Sequence, residues 1–176
     1  MDSPRSLASA FDHLDVVWRL FHGKANRLVV LPSIESTTLL GSDVASRADY
    51  FEHLNALGDV FKHLNVPNRG AQASGHPLVQ LRAYLESCVP SSSVPTISAA
   101  MDQLADIVAI RNGSAHAHAA PDALKAYRAL GIEYPIAHWG TAWKAVCGHA
   151  VAALDSIRIE VLALVDASND LVDGLP

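Results

Sequence analysis

Apolar residues recur every three or four positions along most of this 176-residue chain, and no stretch alternates between apolar and polar residues for long enough to form a strand. A repeat near 3.6 residues brings side chains to one side of an α-helix, so the pattern predicts helices that pack through apolar faces. A first helix is expected from about Ser6 to Asn26. Its apolar face holds Leu7, Phe11, Leu14, Trp18 and Phe21. The chain is therefore expected to be all-α.

Five more helices are expected further along the chain. They run from about Ser42 to Asn65, from Pro77 to the VPSSSVP segment, from Thr96 to about Arg111, from Pro121 to Gly131, and from about Trp139 to Val165. Serine and threonine favour N-caps, proline the first turn and glycine the C-terminal end, which indicates these bounds. The segment from Arg27 to Pro32 is too short to assign and could be a helix end or an extended connector. A bundle of about five to six helices is expected.

The predicted helices fall into two groups along the chain. Residues 1–66 are expected to form an N-terminal helical pair that packs on a helical core of residues 77–166, and residues 167–176 to be a frayed C-terminus. Half of the residues are apolar. Because a chain of this length buries roughly two-thirds of its unfolded surface, its core needs neither a disulfide nor a metal. One compact domain is expected overall.

Composition narrows the class of protein. Eighteen acidic and 13 basic residues give a net charge of −5, which argues against non-specific coating of nucleic acid, since phosphate contacts need clustered cations. Cys88 and Cys147 lack metal-ligand spacing, as is typical of a reducing compartment. Acidic residues near the start disfavour a signal peptide, and no apolar run is long enough to cross a bilayer. We expect a cytoplasmic protein with no membrane partner.

Chemically versatile residues are concentrated in the segment AIRNGSAHAH, residues 109–118. The guanidinium of Arg111 could hold two phosphate oxygens and neutralise charge that develops on phosphorus. The imidazole of His116 could take the proton of a ribose 2′-hydroxyl or give one to the leaving oxygen. Asn112 could orient the substrate or the histidine. This spacing predicts cleavage of RNA by Arg111, Asn112 and His116 without a metal or another cofactor.

The same segment resembles the R-N-x-x-x-H motif of the HEPN superfamily, the higher eukaryote and prokaryote nucleotide-binding domains. Arg111, Asn112 and His116 match that motif in order. The resemblance covers the motif and the helices around it, and implies an all-α bundle acting as a metal-independent endoribonuclease in a toxin–antitoxin or defence system. It also implies a homodimer whose two motifs meet in one cleft, with an antitoxin protein as a further expected partner. Some HEPN toxins have a tyrosine where this chain has His118.

Two other arginine–histidine pairs occur at similar spacing. Arg47 and His53 lie within a regular amphipathic helix, and Ala48 follows Arg47 where the motif has asparagine. Arg69 and His76 lie in a predicted loop. We interpret both pairs as chance matches, because short patterns recur by chance. Replacements of Arg69 and His76 are therefore expected to leave activity unchanged.

Two histidines could add to the motif. His118 could bring a second imidazole to the site, and His138 could reach it from the start of the last helix. Together with His116 they could instead bind a transition metal, but no carboxylate or cysteine stands at ligand spacing, so no metal site is predicted.

The alternative function is a non-catalytic HEPN-like module that binds RNA, a nucleotide or a protein partner. The position of the motif discriminates between the two readings. Burial of Arg111 and His116 against other helices would favour the binding module. An open cleft across a two-fold axis would favour the ribonuclease.

Overall fold

The computed structural model describes residues 6–30, 34–67, 75–113 and 121–173. Seven α-helices and no strand occur in this part of the chain, which confirms the all-α prediction. They are α1 (Leu7–His22), α2 (Ile34–Gly41), α3 (Arg47–Lys62), α4 (Pro77–Cys88), α5 (Val94–Gly113), α6 (Pro121–Ala129) and α7 (Trp139–Asp173). None of the described helices has a segment long and apolar enough to cross a lipid bilayer.

Several helix ends follow the local signals in the sequence. Ser6 caps α1 by accepting a hydrogen bond from the backbone N–H of Ser9 at 3.2 Å. Pro77 occupies the first turn of α4, where a missing N–H costs nothing. Gly131 adopts a φ of +63° just after α6, a conformation that a residue with a side chain rarely adopts. These bounds agree with the sequence predictions.

Other bounds differ from the sequence predictions. The sequence pattern predicts no helix at the position of α2. Helix α3 begins after Ser46 rather than Ser42, because Ser46 and Asp49 form a capping box. Helix α5 begins at Val94 rather than at a Thr96 cap. Helix α7 continues to Asp173, through part of the segment that was expected to fray. No glycine or proline interrupts the sequence between Gly148 and Gly174, so nothing local ends the helix earlier.

The helices share one apolar core. Helix α7 is the longest element, and its main neighbours are α1 and α5; α5 also packs extensively on α6. The cluster of buried residues includes side chains from the N-terminal helices, such as Trp18 and Phe61, and from the later helices, such as Leu104 and Val146. The N-terminal helices and the helices from α4 onward therefore contribute to the same core.

A buried carboxylate fixes the chain where it leaves α1. The side chain of Asp15 accepts hydrogen bonds from the backbone N–H groups of Leu28 at 2.9 Å and Val29 at 3.1 Å. Arg19 and Arg27 lie 3.5 and 3.8 Å from the other carboxylate oxygen. Asp15 thus satisfies two buried backbone donors in the connection between α1 and α2.

Replacement of Asp15 by alanine is expected to destabilise the fold. Asp15→Ala leaves two buried N–H groups unpaired, and we expect the free energy of unfolding in urea to fall by about 2–4 kcal/mol. Asp12→Ala removes an exposed carboxylate of the same helix and is the matched control, with an expected change within about 0.5 kcal/mol. Equal effects of the two replacements would contradict this role of Asp15.

Candidate functional site

The Arg111 side chain extends from the last turn of α5 across α3. Its Nε donates a hydrogen bond to Asn55 Oδ1 at 3.2 Å, and its Nη2 donates to Asp59 Oδ1 at 3.3 Å. The Arg111 side chain is 18% exposed, whereas that of Asp59 is 48% exposed. The guanidinium is therefore oriented by two groups of α3 and lies at the edge of the protein surface.

Gly58 makes this crossing of α3 possible. A Cβ atom at position 58 would lie 2.5 Å from Cδ and 2.7 Å from Nε of Arg111, closer than non-bonded carbon atoms approach. A glycine inside a helix costs about 1 kcal/mol relative to alanine. The close approach of Arg111 gives a physical reason for a glycine in the middle of α3.

Further polar groups surround the guanidinium, and we call Asn55, Asp59, Lys62, His76 and Arg111 the Arg111 cluster. Lys62 Nζ lies 3.7 Å from the same Asp59 oxygen that Arg111 contacts. One carboxylate thus faces two cations, and the trio carries a net positive charge. A phosphate group is attracted to such a surface.

His76 joins the cluster from the N-terminus of α4. Its Nδ1 accepts a hydrogen bond from the backbone N–H of Leu78 at 3.3 Å, so the neutral ring carries its proton on Nε2. Burial, followed by the positive charges of Lys62 and Arg111, holds the pKa of His76 below its ordinary value. The sequence pattern predicts that the Arg69–His76 pair is a chance match and that His76 can serve as a control. The field of Arg111 at its ring makes His76 unsuitable as a control.

The structure describes only part of the predicted motif. Asn112 follows Arg111 in the last turn of α5 and is exposed. His116 and His118 lie outside the described residues, as does Arg69. His138 is exposed, just before α7, and lines a cavity of about 250 Å³ whose lining contains neither Arg111 nor its partners.

Sequence reasoning missed Asn55, Asp59 and Lys62. They lie on the polar side of α3 at helical spacing, a pattern that any solvated helix face shows. The only local signal at the crossing is Gly58 inside an otherwise regular helix. Among the described residues, no group of three or more histidine, cysteine, aspartate or glutamate side chains has an arrangement that could hold a metal ion.

Comparisons of this chain with protein-family models, with curated proteins and with solved structures find no match.

Alanine at position 58 is expected to move Arg111 out of its position on α3. The added Cβ displaces the guanidinium, so the NMR signal of Arg111 Nε–H should shift and exchange faster with water as its bond to Asn55 is lost. Gly148→Ala is the matched control, because a Cβ there meets no atom within 4 Å. That control should keep the Arg111 signal and gain up to about 1 kcal/mol of stability. An unchanged Nε–H signal in Gly58→Ala would contradict the crowding argument.

Removal of the Arg111 charge is expected to raise the pKa of His76. A nearby cation disfavours the imidazolium form, so its loss makes protonation easier. An NMR titration should show the His76 pKa below its ordinary value in the parent protein and closer to that value in Arg111→Ala. Lys62→Ala should act in the same direction, whereas Lys125→Ala, which removes an exposed lysine of α6, should have no effect. A His76 pKa that is identical in Arg111→Ala and the parent protein would show that the two side chains do not interact.

Proposed function

We propose that this protein is a metal-independent endoribonuclease of a HEPN-type toxin or defence system. Arg111 stabilises the phosphate, His116 is the general acid or base, and Asn112 supports them. The observation that supports the proposal best is the Arg111 guanidinium, which two side chains of α3 orient at the C-terminal end of α5. Catalytic groups act efficiently when supporting residues fix their position before substrate binds.

The proposed reaction needs only the nucleophile that RNA itself carries. The 2′-oxygen attacks the adjacent phosphorus while an imidazole takes its proton, and the bond from phosphorus to the 5′-oxygen breaks. The leaving oxygen receives a proton, and the products end in a 2′,3′-cyclic phosphate and a 5′-hydroxyl. Negative charge grows on the phosphate oxygens during this step. A guanidinium stabilises that charge best when it is already oriented.

The charge balance around Arg111 suits a phosphodiester. Asp59 offsets one of the two cations that it contacts, and Arg111 and Lys62 together leave one positive charge in excess. A phosphodiester carries one negative charge, so its approach neutralises the trio. Asp59 and Asn55 thus act as positioning residues for Arg111. They hold its guanidinium without cancelling the attraction for phosphate.

The proposal includes a homodimer. One motif contains a single guanidinium and one His116 imidazole, whereas the reaction needs an acid, a base and phosphate stabilisation. Two motifs related by a two-fold axis supply each of these groups. RNA is the proposed substrate, and an antitoxin protein is the proposed partner in the cell. Light scattering should then report a dimer at working concentrations.

Replacement of the motif residues is expected to abolish cleavage. Arg111→Ala and His116→Ala should each lower the rate of RNA cleavage by about a hundredfold or more, the usual contribution of an acid–base or charge-stabilising group. Gly58→Ala should also lower it, because Arg111 is displaced but not removed. Cleavage should persist in chelator, leave a cyclic phosphate, and fail on RNA without the 2′-hydroxyl at the cut site. Cleavage that requires added zinc or manganese would contradict the mechanism.

Matched controls separate catalysis from stability. Arg158→Ala removes an arginine of similar exposure, 20%, that is also paired with an aspartate, Asp155 at 3.1 Å. His13→Ala removes an exposed histidine of α1. Both controls should retain cleavage, and the Arg111 and His116 variants should keep the helical content and the dimer of the parent. Full activity in Arg111→Ala or His116→Ala would exclude the ribonuclease mechanism.

A second candidate function is a non-catalytic HEPN-like module that binds RNA, a nucleotide or a protein. The contacts of Arg111 with α3 favour it, because a side chain that is 18% exposed and held by Asn55 and Asp59 links two helices, as is expected of a binding module. This candidate predicts that purified protein binds RNA without cutting it. It also predicts that Arg111→Ala lowers binding or stability, with no cleavage in any variant.

A further inference from the structure

The protein has a large open groove. Its wall is mainly apolar, in contrast to the charged Arg111 cluster. The groove has a volume of about 1390 Å³ and runs between the start of α1, the connection from α2 to α3, and one side of α7. Its lining includes Leu40, Ser42, Val44, Trp143, Cys147 and Val151, and none of the Arg111 cluster. The groove is therefore a site separate from the proposed ribonuclease centre.

A serine at the groove faces a buried histidine. Ser42 is exposed and follows α2, and its Oγ lies 2.8 Å from Nε2 of His53. The Nδ1 atom of the same ring lies 2.7 Å from the backbone carbonyl oxygen of Asp49. A hydroxyl, an imidazole and an oxygen acceptor therefore follow one another at hydrogen-bond distances.

The neighbours of His53 determine which ring nitrogen carries the proton. A carbonyl oxygen can only accept a hydrogen bond, so Nδ1 donates to Asp49 and the neutral ring presents a lone pair at Nε2. The Ser42 hydroxyl can donate to that lone pair. It has a second acceptor in the Leu39 carbonyl oxygen at 3.0 Å, but Nε2 is closer.

Packing holds this histidine in place. His53 is 3% exposed, and its ring lies edge-on to Trp143 with the ring centres 5.1 Å apart. The side chain cannot turn away without leaving a buried position, so Nε2 stays directed towards Ser42. An oriented base beside a serine hydroxyl is the arrangement by which proteins activate serine as a nucleophile.

We propose that Ser42 and His53 form a nucleophile–base pair that hydrolyses carboxylic esters with an apolar acyl group. This second activity does not depend on the proposed ribonuclease function. Leu40, Val44 and Val151 belong to the apolar part of the groove wall, where an acyl chain can be removed from water. Lys144 also lines the groove and is exposed, and it supplies a positive charge for a polar end of the ester.

The reaction proceeds in two balanced steps. The Ser42 Oγ forms a bond with the ester carbonyl carbon while its proton passes to His53 Nε2. The bond from that carbon to the alcohol oxygen then breaks, and the departing oxygen takes the proton from Nε2. In the second step a water molecule attacks the acyl-serine, again giving its proton to Nε2. The carboxylic acid leaves, and Oγ recovers the proton.

The cysteine in the groove wall does not compete with Ser42 as a nucleophile. Burial raises the pKa of the Cys147 thiol to about 12, so at neutral pH it stays protonated. Because the thiolate rather than the thiol is the reactive form of cysteine, Ser42 is the nucleophile that the groove offers to an ester.

Covalent labelling tests this proposal directly. The purified full chain is treated with an alkyl fluorophosphonate, which reacts with activated serines, and the labelled residue is located by peptide mass spectrometry. We expect the label on Ser42, and hydrolysis of p-nitrophenyl butyrate that falls about a hundredfold in Ser42→Ala, the usual contribution of such a group. His53→Gln keeps a polar side chain at this position that cannot accept the proton, and this variant should lose labelling of Ser42.

Ser87→Ala is the matched control, because Ser87 is also exposed but donates its hydroxyl to the Tyr84 carbonyl and faces no imidazole. Its hydrolysis rate should equal that of the parent. Labelling of Ser42 no stronger than that of Ser87 would overturn the proposal, as would unchanged ester hydrolysis in Ser42→Ala. If Arg111→Ala loses RNA cleavage but Ser42 of the parent protein is not labelled, the ester site alone is refuted. If Ser42 is labelled but Arg111→Ala cleaves RNA as well as the parent protein, the ribonuclease proposal alone is refuted.

Discussion

Arg111 can cross α3 only where that helix has no side chain, and the absence of a Cβ at Gly58 provides that place. The crossing brings the guanidinium to Asn55 and Asp59 and joins the C-terminal part of α5 to α3. Lys62 contacts the same Asp59 oxygen, and the charges of Lys62 and Arg111 add to burial in lowering the pKa of His76. The absence of a Cβ atom at Gly58 therefore allows Arg111 to reach its partners on α3.

The same protein contains two polar centres with contrasting surroundings. Around Arg111, cations outnumber the facing carboxylate, and the adjacent His76 is shifted towards its neutral form. Around Ser42, the histidine is buried and bonded on both ring nitrogens beside an apolar groove. The first centre suits a charged phosphate and the second an uncharged ester. This difference makes the two proposals independently testable.

Local signals in the sequence were sufficient for most helix positions. The serine before α1, the proline that opens α4 and the glycine after α6 act through their own backbone, so their effect can be predicted without the fold. The sequence pattern predicts the start of α3 at Ser42, whereas the helix begins after Ser46. Both serines are good capping residues, but only Ser46 has an acidic residue three positions later that completes a capping box.

The order of the residues is enough to predict an all-α chain in which Arg111 and Asn112 lie at the end of a long apolar helix. Helical periodicity is a local property, so these features need no knowledge of the fold. Which side chains meet depends on how the helices pack: Arg111 contacts Asn55 and Asp59, and Ser42 contacts His53. Contacts between side chains of different helices depend on where the helices cross and on the space that small residues leave at the crossing. The spacing of residues within one helix predicts neither the crossing nor the space.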